Sequence, residues 1–479
     1  VSDTSLDPAD WEAFRALVHR AVDDAVDFLA TIRDRPAWQP VPASVKDALR
    51  EPLPRAGEPL EATYARFREL IFPYATGNLH PRFFGWVHGG GTPAGALAEF
   101  LAGVMNANVG GREHAAVYVE RAVVAWFIEL FGFPAESSGI LTTGTSMGNL
   151  LAICAARDAA LGDGAREGGI GGAPLVAYAA RGAHSSIAKA MRVAGLGTDA
   201  LRAVDVDERF AIDLDDLRAR IAADRAAGAR PFLVVATAGT VDTGAFDPLD
   251  ALADLCEREG LWLHVDGAFG ALAITSPRHA HLVDGIARAD SLAFDAHKWL
   301  QAPYAVGCVL FRDERAHRAA FSETPDYLAP AERGTAAGAP WYAEYGLELS
   351  RDFRALRLWM TLRHYGITAF GEAIAACCDL AEDLARRVDG DPQWELLAPV
   401  LLNVVCFRVR PPERDGAALD RLNAAIAVAI QESGIAVPST TRIGGRLALR
   451  ICIINHRTAS GDLDALVAAA RDALAGLSP

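Results

Sequence analysis

Apolar positions recur with a helical period in "DPADWEAFRALVHRAVDDAVDFLATI", through Phe14, Leu17, Val18, Ala21, Val22 and Ala25. Asp7 followed by Pro8 supplies a cap and a first turn, so a helix is predicted from there. The next stretch, "RPAWQPVPASV", is proline-rich and predicts an extended connector. An amphipathic helix pair with such a connector has little core of its own. It is expected to pack on another surface, such as a second subunit. From about Gly91 the pattern changes. Short apolar runs, "APLVAYAA", "RPFLVVATAGT", "LWLHVDGAFG", "SLAFDA" and "GCVLFR", read as strands. Between them lie helices such as "IDLDDLRARIAADRAAG", with Asp213 as cap and Gly228 as terminator, and "LDALADLCEREG". Strands apolar on both faces and separated by helices predict a mainly parallel sheet in an α/β domain. Polar residues at the C-terminal ends of such strands converge on one crevice.

Between Phe321 and Leu349 the periodicity fails in a stretch rich in Pro, Gly and Ala, and a loop this long is usually functional or disordered. "SRDFRALRLWMTLRHYG" resumes as a helix expected to end at Gly366. The strands "LLNVVCFRVR" and "LALRICIIN" with flanking helices read as a smaller α/β lobe. The expected division is 1–90, a helical and extended lobe at a dimer interface; 91–366, a large α/β domain; and 367–479, a small α/β domain.

Composition narrows the function classes. An apolar fraction of 51% over 479 residues describes a globular chain with a large core. The net charge of -15 argues against nucleic acid and anionic membranes as partners. The seven cysteines are scattered without a CxxC pair, so no metal site is expected and a reducing, cytoplasmic location is. The opening segment is acidic and polar, unlike a signal peptide, and no apolar run is long enough to span a membrane.

Four features carry candidate chemistry. "DAHKW" puts Asp295, His297 and Lys298 between two apolar runs, where an ammonium must be paired, neutralised or covalently used. Taken alone, Lys298 could snorkel, pair with an acid or form a Schiff base, and the first two are the commoner readings. "LTTGTSMGNLLAICAAR" has a strand end at Leu141, then Thr143, Gly144, Thr145 and Ser146, then a helix from about Met147. Backbone N–H groups and hydroxyls there make either a phosphate seat or an ordinary helix cap. Asp266 ends the apolar strand of "LHVDGAFG" and needs a cationic or strong-donor partner. His184, in "YAARGAHSSIAKA", lies between a strand and a helix, where its ring is free to lie flat over a ligand or to cap. Together, a phosphate seat, a flat ring, a buried acid and a buried lysine suit pyridoxal phosphate (PLP).

"HPRFFGW", "HVDGAFG", "DAHKWL", "LSRDFRALRLW" and "LNVVCFR" resemble the group II PLP-dependent amino-acid decarboxylases, which include aromatic-L-amino-acid decarboxylases. The likeness runs in order from about Leu79 to Thr458. It implies a fold-type I α/β enzyme, a homodimer with its active site at the interface, and decarboxylation of an L-amino acid, aromatic by default, to an amine and carbon dioxide. It implies Lys298 as Schiff-base lysine, Asp266 as partner of the pyridinium and His184 as the stacking ring. Gly144, Thr145 and Ser146 then fall in the phosphate loop, Thr240 beside the cofactor, and His297 at phosphate or substrate. The family's loop tyrosine, a proton donor, matches Tyr342, with Tyr345 and Tyr327 as runners-up. Relatives with phenylalanine there tend towards oxidative deamination to an aldehyde, so an aldehyde synthase or another carbon–nitrogen lyase or transferase is the alternative. A catalytically silent scaffold is the non-enzyme alternative. In "GVMNANVGGREH", Asn106, Asn108, Gly110 and Gly111 stand where aromatic-specific members carry bulky apolar residues, which predicts a roomier or more polar pocket. Arg450 is expected to form a structural ion pair or face an acidic substrate.

Overall fold

The computed structural model describes residues 5–162, 164–323, 329–412 and 415–477. Seven strands form the main sheet: β1 (Ser138–Thr142), β2 (Leu175–Ala180), β3 (Leu201–Val204), β4 (Arg230–Thr237), β5 (Trp262–Asp266), β6 (Ser291–Asp295) and β7 (Gly307–Phe311). Their spatial order is β1-β7-β6-β5-β4-β2-β3. Pairings from β3 through β2, β4 and β5 to β6 are parallel, and β7 runs antiparallel to both neighbours. No helix crosses over between β6 and β7, so the chain turns back at the C-terminal end of β6 and β7 must run antiparallel. That turn carries His297 and Lys298. It opens on the same edge as the ends of β4 and β5, where Thr237 pairs with Asp266 and Asp266 with Ala293. The fold is thus the expected α/β sheet of fold type I.

A second sheet, all antiparallel, has the order β10-β11-β9-β8, from β8 (Trp394–Leu396), β9 (Val404–Val409), β10 (Ser439–Ile443) and β11 (Arg446–Cys452). Phe83 bridges to Val437, and Phe84 is fully buried in the core of this lobe, so the chain before Gly90 is pinned to the C-terminal lobe. Gly89 then passes tightly over the active-site turn: a Cβ there would lie 2.1 Å from the His297 carbonyl oxygen.

The first helix, Trp11–Ala30, starts later than expected. Asp10, not Asp7, caps it, because Asp10 Oδ1 accepts from the backbone N–H groups of Glu12 and Ala13. Leu17 is its only buried residue, and the helix Leu60–Leu70 buries none. The helix expected to end at Gly366 instead breaks there, at φ 73°, and resumes to Asp389. Glycine tolerates that left-handed conformation, so the pause needs no loop.

Candidate active site

The residues singled out from the sequence meet in one cavity of about 450 Å³ at the C-terminal edge of β4, β5 and β6. Gly144, Thr145, Ser146, His184, Asp266, His297 and Lys298 all line it. The helix of the expected phosphate loop begins at Thr145 rather than Met147, with Gly144 as its N-cap, two residues earlier than expected. Gly148, one turn on, lets this helix lie close to the sheet: a Cβ there would be 2.9 Å from Ala293 Cβ.

Lys298 Nζ lies 2.9 Å from Asp295 Oδ2. The other Asp295 oxygen accepts the Thr145 N–H at 2.6 Å. Burial alone would raise the Asp295 carboxyl, but Lys298, His297 and the Thr145 amide outweigh it and hold it below the ordinary carboxylate range. His297 Nδ1 is 2.8 Å from the Val306 carbonyl oxygen, and its ring packs 4.3 Å from that of Tyr304. Burial foremost lowers the His297 pKa, so the ring is neutral. His184 caps the helix Ser185–Val193, its Nδ1 accepting from the Ser186 N–H, and this fixes the ring.

Asp266 is almost wholly buried, and among the described residues no cation lies within ion-pair distance of it. Burial pushes its carboxyl up, against the Asn149 hydrogen bond and the Lys298 charge. A cationic group placed beside it would supply the missing counter-charge. Thr145 Oγ1 and Thr237 Oγ1 are buried cavity-lining hydroxyls without a partner, so the cavity holds unused polar groups for a ligand. The donor set therefore fits PLP: amides and hydroxyls for the phosphate, an acid for the ring nitrogen, an amine for the aldehyde.

Three expectations need correction. Tyr342 does not reach the cavity. It is buried in the main core with its ring 4.9 Å from the Arg351 guanidinium, and Arg351 is itself fully buried in an ion pair with Glu120. Tyr345 is also occupied, its hydroxyl donating to Glu314 and its ring packed on His317. Tyr327 lies outside the described residues. Thr240 turns away from the cavity, because its Oγ1 accepts the Ala245 N–H at 3.0 Å and sits 2.9 Å from Thr243 Oγ1; Gly239 and Val241 line the cavity instead. Arg450 forms no ion pair among the described residues and lines no part of the cavity. It donates to the Trp86 carbonyl oxygen at 2.9 Å, supporting a residue held at φ 50° on the cavity wall.

The segment with Asn106, Asn108, Gly110 and Gly111 does not line this chain's own cavity. Packing demands its small residues: a Cβ on Gly110 would lie 1.9 Å from the Leu349 carbonyl oxygen, and one on Gly111 would lie 2.6 Å from the Trp341 indole. Residues not assigned a role from the sequence complete the site: Trp86, His88, Phe269 and Tyr304 as walls, Asn149 and Ser186 behind them. Asn149 was findable, since it stands one helical turn after Thr145 and opens the apolar run 150–156 of that helix.

The sheet is that of the fold-type I PLP enzymes, and the residues expected to serve the cofactor, Gly144 to Ser146, His184, Asp266 and Lys298, line one cavity at its strand ends. The family model of the pyridoxal-dependent decarboxylase conserved domain matches residues 42–410. The chain is 34% identical to an aromatic-L-amino-acid decarboxylase of Bacillus atrophaeus, over 94% of this chain and 93% of that one. It is 30% identical to a phenylacetaldehyde synthase of Arabidopsis thaliana, over 94% and 93%. The solved structure of Oryza sativa TDC with PLP and tryptamine superposes with a TM-score of 0.90 at 27% identity, covering 99% of this chain and 100% of that one. The chain belongs to the pyridoxal-dependent decarboxylase family. Its chemistry is accordingly the PLP-dependent removal of a carboxyl group from an amino acid.

Proposed function

We propose that the substrate is an aromatic L-amino acid, released as the amine and carbon dioxide, with Lys298 as cofactor anchor. The observation that carries the site assignment is the convergence of Lys298, Asp266, His184 and the N-terminus of the helix Thr145–Leu161 on one cavity. Trp86, Phe269 and Tyr304 on its walls favour a flat apolar side chain. Bound PLP supplies the sink for the electron pair left at Cα when carbon dioxide departs. The chain's residues do the rest. The Ser146 amide, with the Thr145 and Ser146 hydroxyls, holds the phosphate. Asp266 keeps the proton on the ring nitrogen, and His184 fixes the ring's face. Asp295 holds the Lys298 amine in place for exchange with the substrate's.

Tyr342 and Tyr345 are committed to packing, so Tyr327 is the loop tyrosine to test as proton donor to Cα. Aldehyde formation is the second reading, favoured by the likeness to a phenylacetaldehyde synthase. We further propose a homodimer in the cytoplasm. Leu97, Phe100, Leu101, Val104 and Met105 stand exposed on one helix, as do Trp11, Val22 and Val26 on another, and all seven cysteines are free thiols. Among the described residues no helix is long and apolar enough to cross a membrane. Sedimentation of the holoenzyme checks the dimer, and a monomer at micromolar concentration would refute it. The function is tested by borohydride reduction with peptide mapping, and by assaying L-amino acids for amine, aldehyde and carbon dioxide. A label on Lys298 and amine from an aromatic substrate are expected. A label on Lys189 or Lys46 would refute the anchor, and aldehyde as main product would install the second reading.

A further inference from the structure

Behind Asp266 lies a run of hydrogen-bonded polar side chains, fully buried at its centre, that the reaction itself does not use. Asn149 Nδ2 donates to Asp266 Oδ2 at 2.9 Å and to Ser186 Oγ at 3.0 Å. Ser186 Oγ lies 2.8 Å from His184 Nδ1. On its other side, Asn149 Oδ1 is 2.9 Å from His264 Nε2. His264 Nδ1 is 2.9 Å from Ser291 Oγ, which accepts the Trp262 indole N–H at 2.8 Å. Asn149, His264 and Ser291 have no solvent exposure.

We propose that Asn149 is the positioning residue of this active site, orienting both the Asp266 carboxylate and the His184 ring, and that His264, Ser291 and Trp262 lock Asn149 in the one orientation that can do so. Donor and acceptor rules force each step. An ionised Asp266 only accepts, so the amide must present its NH2 there and its oxygen to His264. His264 must then carry its proton on Nε2. Burial holds its pKa at about 3, so it is neutral and Nδ1 is left as an acceptor. Ser291 fills that acceptor with its hydroxyl proton and takes the Trp262 N–H in return. On the other branch, Ser186 accepts from Asn149 and gives its proton to His184 Nδ1. Donors and acceptors in the relay run in a consistent direction, with His184 Nδ1 shared by the Ser186 hydroxyl and its backbone N–H, which makes it rigid. The sequence shows the placement: His264 is two residues before Asp266 on β5, hence on the same face.

Without the His264 donor, the Asn149 oxygen is orphaned and the amide has no reason not to flip. A flip would set oxygen against the Asp266 carboxylate and release Ser186. The proposal rests on the site reading above, and its test compares His264→Leu with His264→Gln in the holoenzyme. The first removes the donor; the second keeps an N–H at similar reach. His264→Leu is expected to weaken PLP binding about tenfold and lower kcat about a hundredfold with amino-acid KM within about threefold. It should also change the induced circular dichroism of the bound cofactor, which reports ring orientation. His264→Gln should recover most of each loss. Asn149→Leu should exceed His264→Leu, because it frees Asp266 and His184 together. Equal behaviour of the two His264 variants, whether both match the parent or both fall in step with their melting temperatures, overturns the proposal. Borohydride labelling of the parent at Lys298 tests the site separately, so failure of the site and failure of the relay are distinguishable.

Discussion

Burial disfavours a charge on Asp266, and among the described residues it has hydrogen bonds but no cation within ion-pair distance. Its carboxylate is useful only if a positive ring nitrogen arrives. Asp266→Asn keeps the shape and loses the charge, so kcat should fall roughly a thousandfold with a much smaller loss of PLP affinity. Turnover within about tenfold of the parent would sink this role. The tyrosines separate on similar grounds. Burial, reinforced by Glu120, raises the Tyr342 phenol well above its ordinary pKa, which makes it a poor acid. Tyr342→Phe should leave amine formation near the parental rate, and any loss should track stability through the Arg351 stacking. Tyr327→Phe should spare carbon dioxide release, slow amine release and divert product to aldehyde; amine at the parental rate without aldehyde would exclude it. Single residues of the site were legible when their chemistry is odd for their surroundings, as with Lys298 and Asp266. That Thr240 and Tyr342 line no part of this chain's cavity was not legible, because which way a hydroxyl points depends on a turn or a buried ion pair, and neither is written in local pattern.

The phosphate seat is a packing problem between elements. The helix Thr145–Leu161 lies this close to the sheet because glycines remove side chains at Gly148 and Gly307. A Cβ on Gly307 would lie 2.7 Å from Gly144 Cα and 2.9 Å from Asp295 Oδ1, and neither neighbour can swing aside. Gly307→Ala should therefore shift the seat and weaken PLP binding about tenfold or more, while Gly461→Ala, which meets nothing within 4 Å, should not. Titrating the apoenzyme with PLP checks both, and equal affinities would mean that the seat tolerates movement. The strands that build this layer were readable because parallel strands buried on both faces are continuous apolar runs. β3, β8 and β10 escaped notice because they are short or solvent-facing, and β10 alternates with exposed positions. The antiparallel course of β7 follows from the short turn before it, a link that periodicity does not record. Helix ends drifted by a few residues because caps such as Asp10 and Gly144 are decided by backbone geometry.

At the scale of the whole molecule, buried histidines set the response to acid. His264 and His317 are fully buried, and burial lowers both from 6.5 to about 3. His317 joins three parts of the main sheet's edge: Nδ1 lies 2.9 Å from Ser138 Oγ, Nε2 lies 2.8 Å from the Tyr345 carbonyl oxygen, and the ring stacks on Phe311. A histidine whose folded pKa is depressed binds fewer protons in the native state. Its contribution to stability is fully present above pH 6.5 and is lost as pH falls towards about 3. Each such group adds up to about 1.4 kcal/mol of destabilisation per pH unit within that window. Asp247 acts in the opposite sense. Its buried carboxyl, pushed up to about 6 by burial, takes up its proton earlier in the native state than in the unfolded one, and so offsets part of the loss between pH 6 and 4. Comparison with a variant cancels that term. His317→Gln retains a donor for the Tyr345 carbonyl but does not titrate. Urea unfolding of holoenzyme at pH 7, 6, 5 and 4 should show parent stability falling more steeply than that of His317→Gln, by about 1.4 kcal/mol per unit below pH 6. The variant is expected to be less stable at pH 7, where its packing is poorer, so the two curves should converge on acidification. Parallel curves would show that His317 stays neutral in the unfolded chain as well, or is charged in both states, and the buried neutral imidazole would no longer explain the acid response.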